Sequence, residues 1–145
     1  MRRIEAYPLW LGHVGDLRAP KELLDAGIRA VVDLASNEPI PSLPRDLTYC
    51  RFPLFDGSGN DPALLRLTIR TVAELLRTQV PTIVCCSVGL SRSLAVAAAA
   101  IHVVTNEPLE EALRHVAADG KHDLSPGLWQ EVTQVCAATR ASRGA

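Results

Sequence analysis

The stretch that decides the fold is residues 83–93, Ile-Val-Cys-Cys-Ser-Val-Gly-Leu-Ser-Arg-Ser. An apolar run over residues 80–85 ends here, small residues follow, and a nearly all-apolar stretch continues over 91–105. The pattern predicts a buried strand, a short loop over 86–90 and a buried helix, in that order. Parallel sheets bind ligands where such a loop carries the chain from the carboxyl end of a strand to a helix. The loop is therefore the first place to look for a functional site.

Strands and helices alternate in the rest of the chain as well. Short apolar or β-branched runs predict strands, and apolar residues spaced by three and four predict amphipathic helices. The order predicts an α/β fold, with a central, mostly parallel sheet flanked by helices. Asn106 is the expected N-cap of the fourth predicted helix. The further predicted strands are 7–11, 28–34 and 47–54, and the further predicted helices are 20–26, 63–78, 107–118 and 126–138.

The whole chain is expected to form one domain. Its 145 residues are a usual length for a single domain, and 48% of them are apolar. No repeat, linker or low-complexity segment divides residues 1–145, and the small, polar tail over 139–145 is predicted to fray. The longest apolar run, over 94–104, is too short to cross a bilayer, so no membrane partner is expected.

Charge and cysteine content narrow the function classes. A net charge of −1 argues against a nucleic-acid partner, because such proteins carry basic patches. Four cysteines occur without a Cys-x-x-Cys pair, so neither a disulfide framework nor a metal site is expected. The N-terminal residues form no long apolar segment of the secretory kind. Together these features predict a cytoplasmic protein with reduced thiols, and they specify no oligomeric state.

The predicted loop has the composition of an anion site. Its small residues let backbone amides point inward, and the N-terminus of the following helix adds positive potential. Arg92, at the start of that helix, can hold a phosphate with two parallel hydrogen bonds. Cys86 opens the loop, and the amides, the helix dipole and the guanidinium all favour its thiolate. A thiolate beside an oxyanion site is a nucleophile directed at phosphorus.

These residues form the pattern Cys-x5-Arg-Ser, with glycine three positions after the cysteine. In this pattern the chain resembles the cysteine-based protein tyrosine phosphatases, and among them the small dual-specificity group. The resemblance covers roughly residues 7–135. It includes residues 9–12 followed by 27–34, the sequence Phe-Pro-Leu-Phe-Asp over 52–56, and Ser-Pro-Gly-Leu over 125–128.

The resemblance implies a phosphomonoesterase that needs no metal or other cofactor and works through a phosphocysteine intermediate. Cys86 would attack phosphorus, Arg92 would hold the phosphate oxygens, and Ser93 would stabilise the departing thiolate. The implied substrate is a phosphorylated protein or a small phosphomonoester. Phosphotyrosine is expected, and phosphoserine and phosphothreonine stay open. The implied substrate-binding residues are those of the loop, namely Ser87, Val88, Gly89, Leu90, Ser91 and Arg92.

Two aspartates compete for the role of general acid. Asp56 lies 30 residues before Cys86, and Asp61 lies 25 residues before it. Acids in the family usually lie at the larger of these distances, directly after a strand of the Phe-Pro type. Asp56 also sits beside glycines, in a loop that could move over a substrate. Asp61 precedes Pro62 at a predicted helix start and suits an N-cap. We therefore predict Asp56 as the acid.

One position departs from the family pattern. Relatives usually have a histidine before the nucleophile, where it orders the loop, and this chain has Cys85. This replacement favours the alternative of a phosphate-binding pseudophosphatase with little turnover. A rhodanese-like sulfur transferase is a third alternative, although rhodanese loops are usually shorter. Cys85 and Cys50 are expected to be core residues, with a redox disulfide to Cys86 as the other hypothesis.

The loops around the predicted site give a first view of the substrate. Residues 87–91 carry no lysine, whereas loops that take polyanionic inositol lipids tend to be basic. A lipid substrate is therefore disfavoured. The proline-rich loop over 36–44 is expected to line the entrance of the site.

Overall fold

The computed structural model describes residues 1–118 and 122–143. Within them, helices and strands alternate as the sequence predicts, and a short strand at the N-terminus is added. In chain order the elements are β1 (Arg2–Arg3), β2 (Leu9–His13), a 3₁₀ turn (Val14–Arg18), α1 (Pro20–Asp25), β3 (Ala30–Ala35), β4 (Thr48–Leu54), α2 (Pro62–Arg77), β5 (Thr82–Cys86), α3 (Arg92–Thr105), α4 (Leu109–Ala117) and α5 (Pro126–Arg143).

The strands form one sheet in the order β1-β2-β5-β3-β4. Neighbouring strands are parallel from β2 across to β4, and the edge strand β1 is antiparallel to β2. The predicted α/β fold, with its central, mostly parallel sheet flanked by helices, is confirmed. β5 lies in the middle of the sheet, so the loop that follows it is supported by a strand on either side.

The two faces of the sheet carry separate apolar clusters. Successive side chains of a strand point to opposite faces, and β5 divides its residues accordingly. Val84 and Cys86 pack in the cluster that includes α2, α3, α4 and α5, whereas Ile83 and Cys85 pack with residues around α1. α3 is buried from Arg92 to His102, as its nearly all-apolar sequence predicts.

Two helix boundaries differ from the prediction. Asn106 does not cap α4. It ends α3 instead, in the left-handed region at φ 63°, a conformation that asparagine tolerates well. Pro108 is the N-cap of α4, which therefore begins only at Leu109. α5 continues to Arg143, past its predicted end at residue 138. The last part of the predicted frayed tail, 144–145, lies outside the described residues.

A buried carboxylate ties β3 to β4. Asp33 is only 1% exposed. Its Oδ2 accepts a hydrogen bond of 2.7 Å from the hydroxyl of Tyr49, and its Oδ1 accepts one of 3.1 Å from the amide of Ala35. Burial and the hydrogen bond to Asp33 raise the pKa of Tyr49, so its hydroxyl remains a donor. A buried polar group with such partners stabilises the pairing of the two strands.

Candidate active site

The loop after β5 packs against the end of β2. The register places Gly12 opposite Cys85 and His13 opposite Cys86. Gly89 turns the loop with φ 82°, and a Cβ at that position would lie 2.8 Å from the carbonyl oxygen of Gly12. Glycine is therefore required at position 89 both for its backbone angle and for the close approach of β2. The close contact fixes the shape of the loop around the thiol.

The Cys86 thiol accepts hydrogen bonds from its own loop. Its Sγ lies 3.1 Å from the amide nitrogen of Gly89 and 3.4 Å from the hydroxyl oxygen of Ser93. Burial alone would raise the pKa of this thiol. The Ser93 hydroxyl and the amides of Ser93, Gly89 and Ser91 outweigh burial, and the pKa of Cys86 is lowered from its ordinary value. The site therefore favours the thiolate, which is the nucleophilic form.

The Arg92 guanidinium is buried, with the residue 5% exposed, and is fixed by two hydrogen bonds. Its Nη1 donates to the carbonyl oxygen of Leu54 at 3.0 Å, and its Nη2 donates to the hydroxyl of Ser87 at 2.8 Å. Ser87 in turn donates to the Oδ1 of Asn37 at 3.0 Å. Among the described residues, the buried Nε of Arg92 has no hydrogen-bond partner. A buried N–H without an acceptor is energetically costly.

A pocket of about 110 Å³ lies over the thiol. Both Asp56 and Asp123 line it, so the structure brings the predicted acid and the predicted nucleophile to one cavity. Asp61 is not among the lining residues. Its carboxylate caps α2 by accepting a hydrogen bond of 2.9 Å from the amide of Ala63. The full lining is Asp56, Cys86, Val88, Leu90, Ser91, Arg92 and Asp123.

Larger cavities exist, and one of about 250 Å³ is also lined by the loop residues Val88, Gly89 and Leu90. A groove of about 290 Å³ between α2 and α5 is lined by apolar side chains, Arg66, Arg70 and Arg77, and the Cys136 thiol. Burial raises the pKa of Cys136 to about 11, so this thiol stays protonated at neutral pH. The predicted nucleophile, Cys86, lines the smaller pocket together with Arg92.

Neither proposed redox partner is bonded to Cys86, because Cys50, Cys85 and Cys86 are all free thiols. Cys85 points to the opposite face of the sheet, and burial raises its pKa well above the ordinary value. Cys50 is in register with Val32, which is in register with Val84. Two steps across a sheet span about 10 Å, whereas a disulfide needs Cα atoms within roughly 7 Å. Both cysteines pack with apolar residues, as expected.

The segment before α5 supports the loop from behind. The amide of Asp123 donates to the carbonyl oxygen of Leu90 at 3.1 Å, and the amide of Ser125 donates to the hydroxyl of Ser91 at 3.0 Å. The hydroxyls of Ser87 and Ser91 are thus both bound to the protein. The exposed apolar side chains of the loop are Val88 and Leu90, at 66% and 38% exposure.

Sequence analysis missed several of these supporting residues. Leu54 contributes a backbone carbonyl, which has no signature in the sequence. Asn37 was covered only as part of the loop expected at the entrance, and Asp123 and Ser125 gave no signal apart from the resemblance at 125–128. Their roles depend on contacts between positions that are 33 to 50 residues apart.

The described residues contain neither a cluster of metal-ligating side chains nor a helix that could span a membrane. Over residues 1–118 and 122–143, no three His, Cys, Asp or Glu side chains come together in a group that could hold a metal ion. In the same ranges, no helix is both long and apolar enough to cross a membrane.

Similar solved structures are phosphatases of the expected kind. Human DUSP28 is 26% identical, with a TM-score of 0.84 over 98% of this chain and 99% of that chain. The resemblance of this chain to the small dual-specificity phosphatase-like group is thereby confirmed. Within this group the fold is also shared by DUSP15, which is 21% identical with a TM-score of 0.75 over 96% of this chain and 88% of that chain.

A more distant fold neighbour was solved with a ligand. PTPMT1 in complex with PI(5)P is 18% identical, with a TM-score of 0.74 over 99% of this chain and 98% of that chain. At this identity the likeness concerns the fold alone. No family model and no curated protein matches the sequence.

Proposed function

We propose that this chain is a metal-free phosphomonoesterase, a protein phosphatase that works through a phosphocysteine intermediate. The observation that carries the proposal is the Cys86 thiol. It accepts hydrogen bonds from Gly89 and Ser93, its pKa is lowered, and it lines one pocket with Arg92. A buried, activated thiolate beside a guanidinium and a helix N-terminus is suited to attack on a phosphate ester.

In the proposed first step, the Cys86 sulfur attacks phosphorus and an S–P bond forms. The bond from phosphorus to the ester oxygen breaks, and Asp56 donates its proton to that oxygen, so that a neutral alcohol or phenol leaves. Arg92 and the amides of residues 87–92 hold the phosphate oxygens, whose charge is spread in the transition state. The buried Nε of Arg92 is a donor without a partner among the described residues.

In the proposed second step, water attacks the phosphocysteine. The Asp56 carboxylate takes a proton from this water, inorganic phosphate forms, and the S–P bond breaks to release the Cys86 thiolate. The Ser93 hydroxyl, 3.4 Å from the sulfur, stabilises this thiolate. The cycle needs a reduced Cys86, which agrees with the cytoplasmic location expected from the cysteine content.

The surroundings of the pocket favour a phosphorylated protein over an inositol lipid. Val88 and Leu90 offer apolar surface at the rim, and Arg92 is the one basic residue among the described residues that line the pocket. A polyphosphorylated headgroup would find no second cation in this lining, and residues 87–91 contain no lysine. We therefore do not extend the PI(5)P complex of PTPMT1 to this chain. Phosphotyrosine is the proposed substrate, with phosphoserine, phosphothreonine and small phosphomonoesters to be compared.

The mechanism is tested with p-nitrophenyl phosphate and a phosphotyrosine peptide, in the presence of a metal chelator. We expect turnover by the wild type and none by Cys86→Ser, which should still bind vanadate because the loop and Arg92 remain. Cys136→Ser is the matched control, since its protonated thiol lies in another cavity, and it should retain activity. Turnover that persists in Cys86→Ser, or that disappears on chelation, would contradict the proposal.

The acid is tested by comparing three aspartates. Asp56→Asn should lower kcat/KM for the phosphotyrosine peptide by roughly 10²- to 10⁴-fold, because a poor leaving group needs a proton. Asp61→Asn should retain activity, because Asp61 caps α2. Asp123→Asn tests the second aspartate that lines the pocket. A larger loss in Asp61→Asn or Asp123→Asn than in Asp56→Asn would reassign the acid.

The pseudophosphatase alternative rests on Cys85, which replaces the usual histidine. It predicts that the wild type binds a phosphotyrosine peptide without hydrolysing it. Cys85→His, which restores the usual residue, would then gain activity. Under the proposed function, the wild type already turns over.

A further inference from the structure

We propose that Glu131 of α5 is a positioning residue for the general acid and acts through Asn60. The proposal rests on the proposed role of Asp56 as that acid. It gives α5 a part in catalysis, although none of its described side chains lines the pocket.

The loop that carries Asp56 has almost no apolar anchor of its own. Leu54 is fully buried at the end of β4, but Phe55 is 57% exposed and Asp56 is exposed as well. Gly57 and Gly59 follow, and Gly59 has φ 100°, a conformation suited to glycine. Since side-chain packing does not hold this loop, its shape depends on hydrogen bonds.

Asn60 supplies those hydrogen bonds within the loop. Its Oδ1 accepts from the amide of Phe55 at 2.8 Å. Its Nδ2 lies 3.2 Å from the carbonyl oxygen of Phe55 and 3.1 Å from that of Gly57. Asn60 thus binds the residues directly before and directly after Asp56, namely Phe55 and Gly57. Asn60 is itself 7% exposed, so it acts as the buried centre of an otherwise exposed loop.

Glu131 joins this centre to α5. Its Oε1 accepts from the amide of Asn60 at 3.2 Å and from the Nδ2 of Asn60 at 3.0 Å, and its Oε2 accepts from the amide of Gly59 at 2.9 Å. These donors lower the pKa of Glu131 against the opposing effect of burial, so the side chain is a carboxylate at neutral pH. Charge-assisted bonds to one carboxylate are stronger than neutral ones, and they fix the loop to a rigid helix.

The first turn of α5 contacts the same loop directly. A Cβ at Gly127 would lie 3.0 Å from the amide nitrogen of Ser58 and 3.3 Å from its Cβ. Immediately before this turn, the amide of Ser125 donates a hydrogen bond to the hydroxyl of Ser91, in the loop after β5. The start of α5 therefore contacts both the loop of the acid and the loop of the nucleophile. Glu131 fixes the first of these two loops relative to the second.

The test uses two substrates that differ in their need for an acid. Phenyl phosphate has a poor leaving group, and p-nitrophenyl phosphate has a better one. Glu131→Ala should lower kcat/KM for phenyl phosphate by roughly tenfold, as expected for a misplaced catalytic group, and should change kcat/KM for p-nitrophenyl phosphate much less. In Glu131→Gln one oxygen is replaced by a donor that faces another donor, so a partial loss is expected. Glu111→Gln is the matched control, because the Glu111 side chain makes no hydrogen bond or ion pair with the described residues.

A double-mutant cycle with Asp56→Asn separates positioning from a general loss of structure. If Glu131 acts through Asp56, Glu131→Ala should cause no further loss for phenyl phosphate in the Asp56→Asn background. An equal loss in both backgrounds, or equal losses for both substrates, would overturn the proposal. If Asp56→Asn alone has no effect while Cys86→Ser is inactive, the acid assignment fails instead. Activity in Cys86→Ser would overturn the proposed function itself.

Gly127→Ala provides a variant that perturbs the loop of Asp56 without altering the Glu131 side chain itself. Alanine favours a helix by about 1 kcal/mol over glycine, so a loss of fold is not the expected cause of any defect. Its methyl group should displace the loop at Ser58 and lower kcat/KM selectively for phenyl phosphate. The ratio of kcat/KM for phenyl phosphate to kcat/KM for p-nitrophenyl phosphate is the deciding quantity. If this ratio is unchanged in both Gly127→Ala and Glu131→Gln, the proposal is overturned, even if Glu131→Ala does not fold.

Discussion

At the scale of single residues, the adjacent thiols Cys85 and Cys86 show how one step along a strand changes chemistry. Cys85 points into the cluster around α1, and burial raises its pKa well above the ordinary value. Cys86 points to the other face, where the loop after β5 and the start of α3 supply hydrogen-bond donors that lower its pKa. Two identical side chains thus differ in reactivity because only one of them meets the amides at the end of β5.

The first prediction concerns the hydroxyl of Ser93. Ser93→Ala removes a donor to the Cys86 sulfur, so the pKa of Cys86 should rise and the thiolate should form only at higher pH. The midpoint of the pH profile for alkylation by iodoacetate should therefore move upward. Loss of one bond to a charged group should also lower kcat roughly tenfold, through slower release of the thiolate. Cys86→Ser gives the background from other thiols, and an unmoved midpoint would exclude the role of Ser93.

At the scale of elements, the conformation of the loop after β5 depends on the neighbouring strand as much as on the loop's own sequence. Gly89 is in contact with the backbone of Gly12 in β2, and the segment before α5 binds Leu90 and Ser91 from the other side. The guanidinium of Arg92 is held by the last residue of β4. Three elements far apart in sequence thus fix one short loop in a preorganised shape.

The second prediction follows from this contact. Gly89→Ala combines an unfavourable φ with a Cβ placed 2.8 Å from a carbonyl oxygen, so the loop must move. We expect a loss of stability of about 1–3 kcal/mol and weaker vanadate binding. Gly57→Ala is the control for stability, because a Cβ at Gly57 has no atom within 4 Å. Thermal unfolding and vanadate titration measure the two effects, and equal behaviour of the two variants would contradict this account.

At the scale of the whole molecule, the sheet holds both loops of the candidate active site. β4 delivers the loop of Asp56 and β5 delivers that of Cys86, and β3 lies between them. Asp33 and Tyr49 tie β3 to β4 by a buried hydrogen bond. The spacing of the two loops therefore depends on the pairing of these strands.

The third prediction tests this tie. Tyr49→Phe leaves a buried carboxylate oxygen without its donor and should lower the free energy of unfolding by about 1–3 kcal/mol. Tyr7→Phe is the matched control, since the Tyr7 hydroxyl makes no hydrogen bond with the described residues. Urea unfolding compares the two, and the slope should stay the same while the midpoint falls only for Tyr49→Phe. Equal midpoints would show that the tie contributes no stability.

The sequence by itself determined the fold class and predicted the centre of the candidate site. A strand, a loop and a helix are local patterns, and Cys86 and Arg92 are close along the chain, so their spacing already predicts a common loop. The preference for Asp56 over Asp61 also came from the sequence, because the cap of α2 has a local signature.

Only the tertiary structure decided what surrounds these residues. The partners of Arg92 are Leu54 and Ser87, and Glu131 reaches Asn60 across 71 residues. Such contacts depend on where strands and helices meet in space, and a backbone carbonyl or a single glutamate on a helix gives no pattern that predicts them. The sequence therefore specified which groups can react, and the packing of distant elements decided how those groups are held.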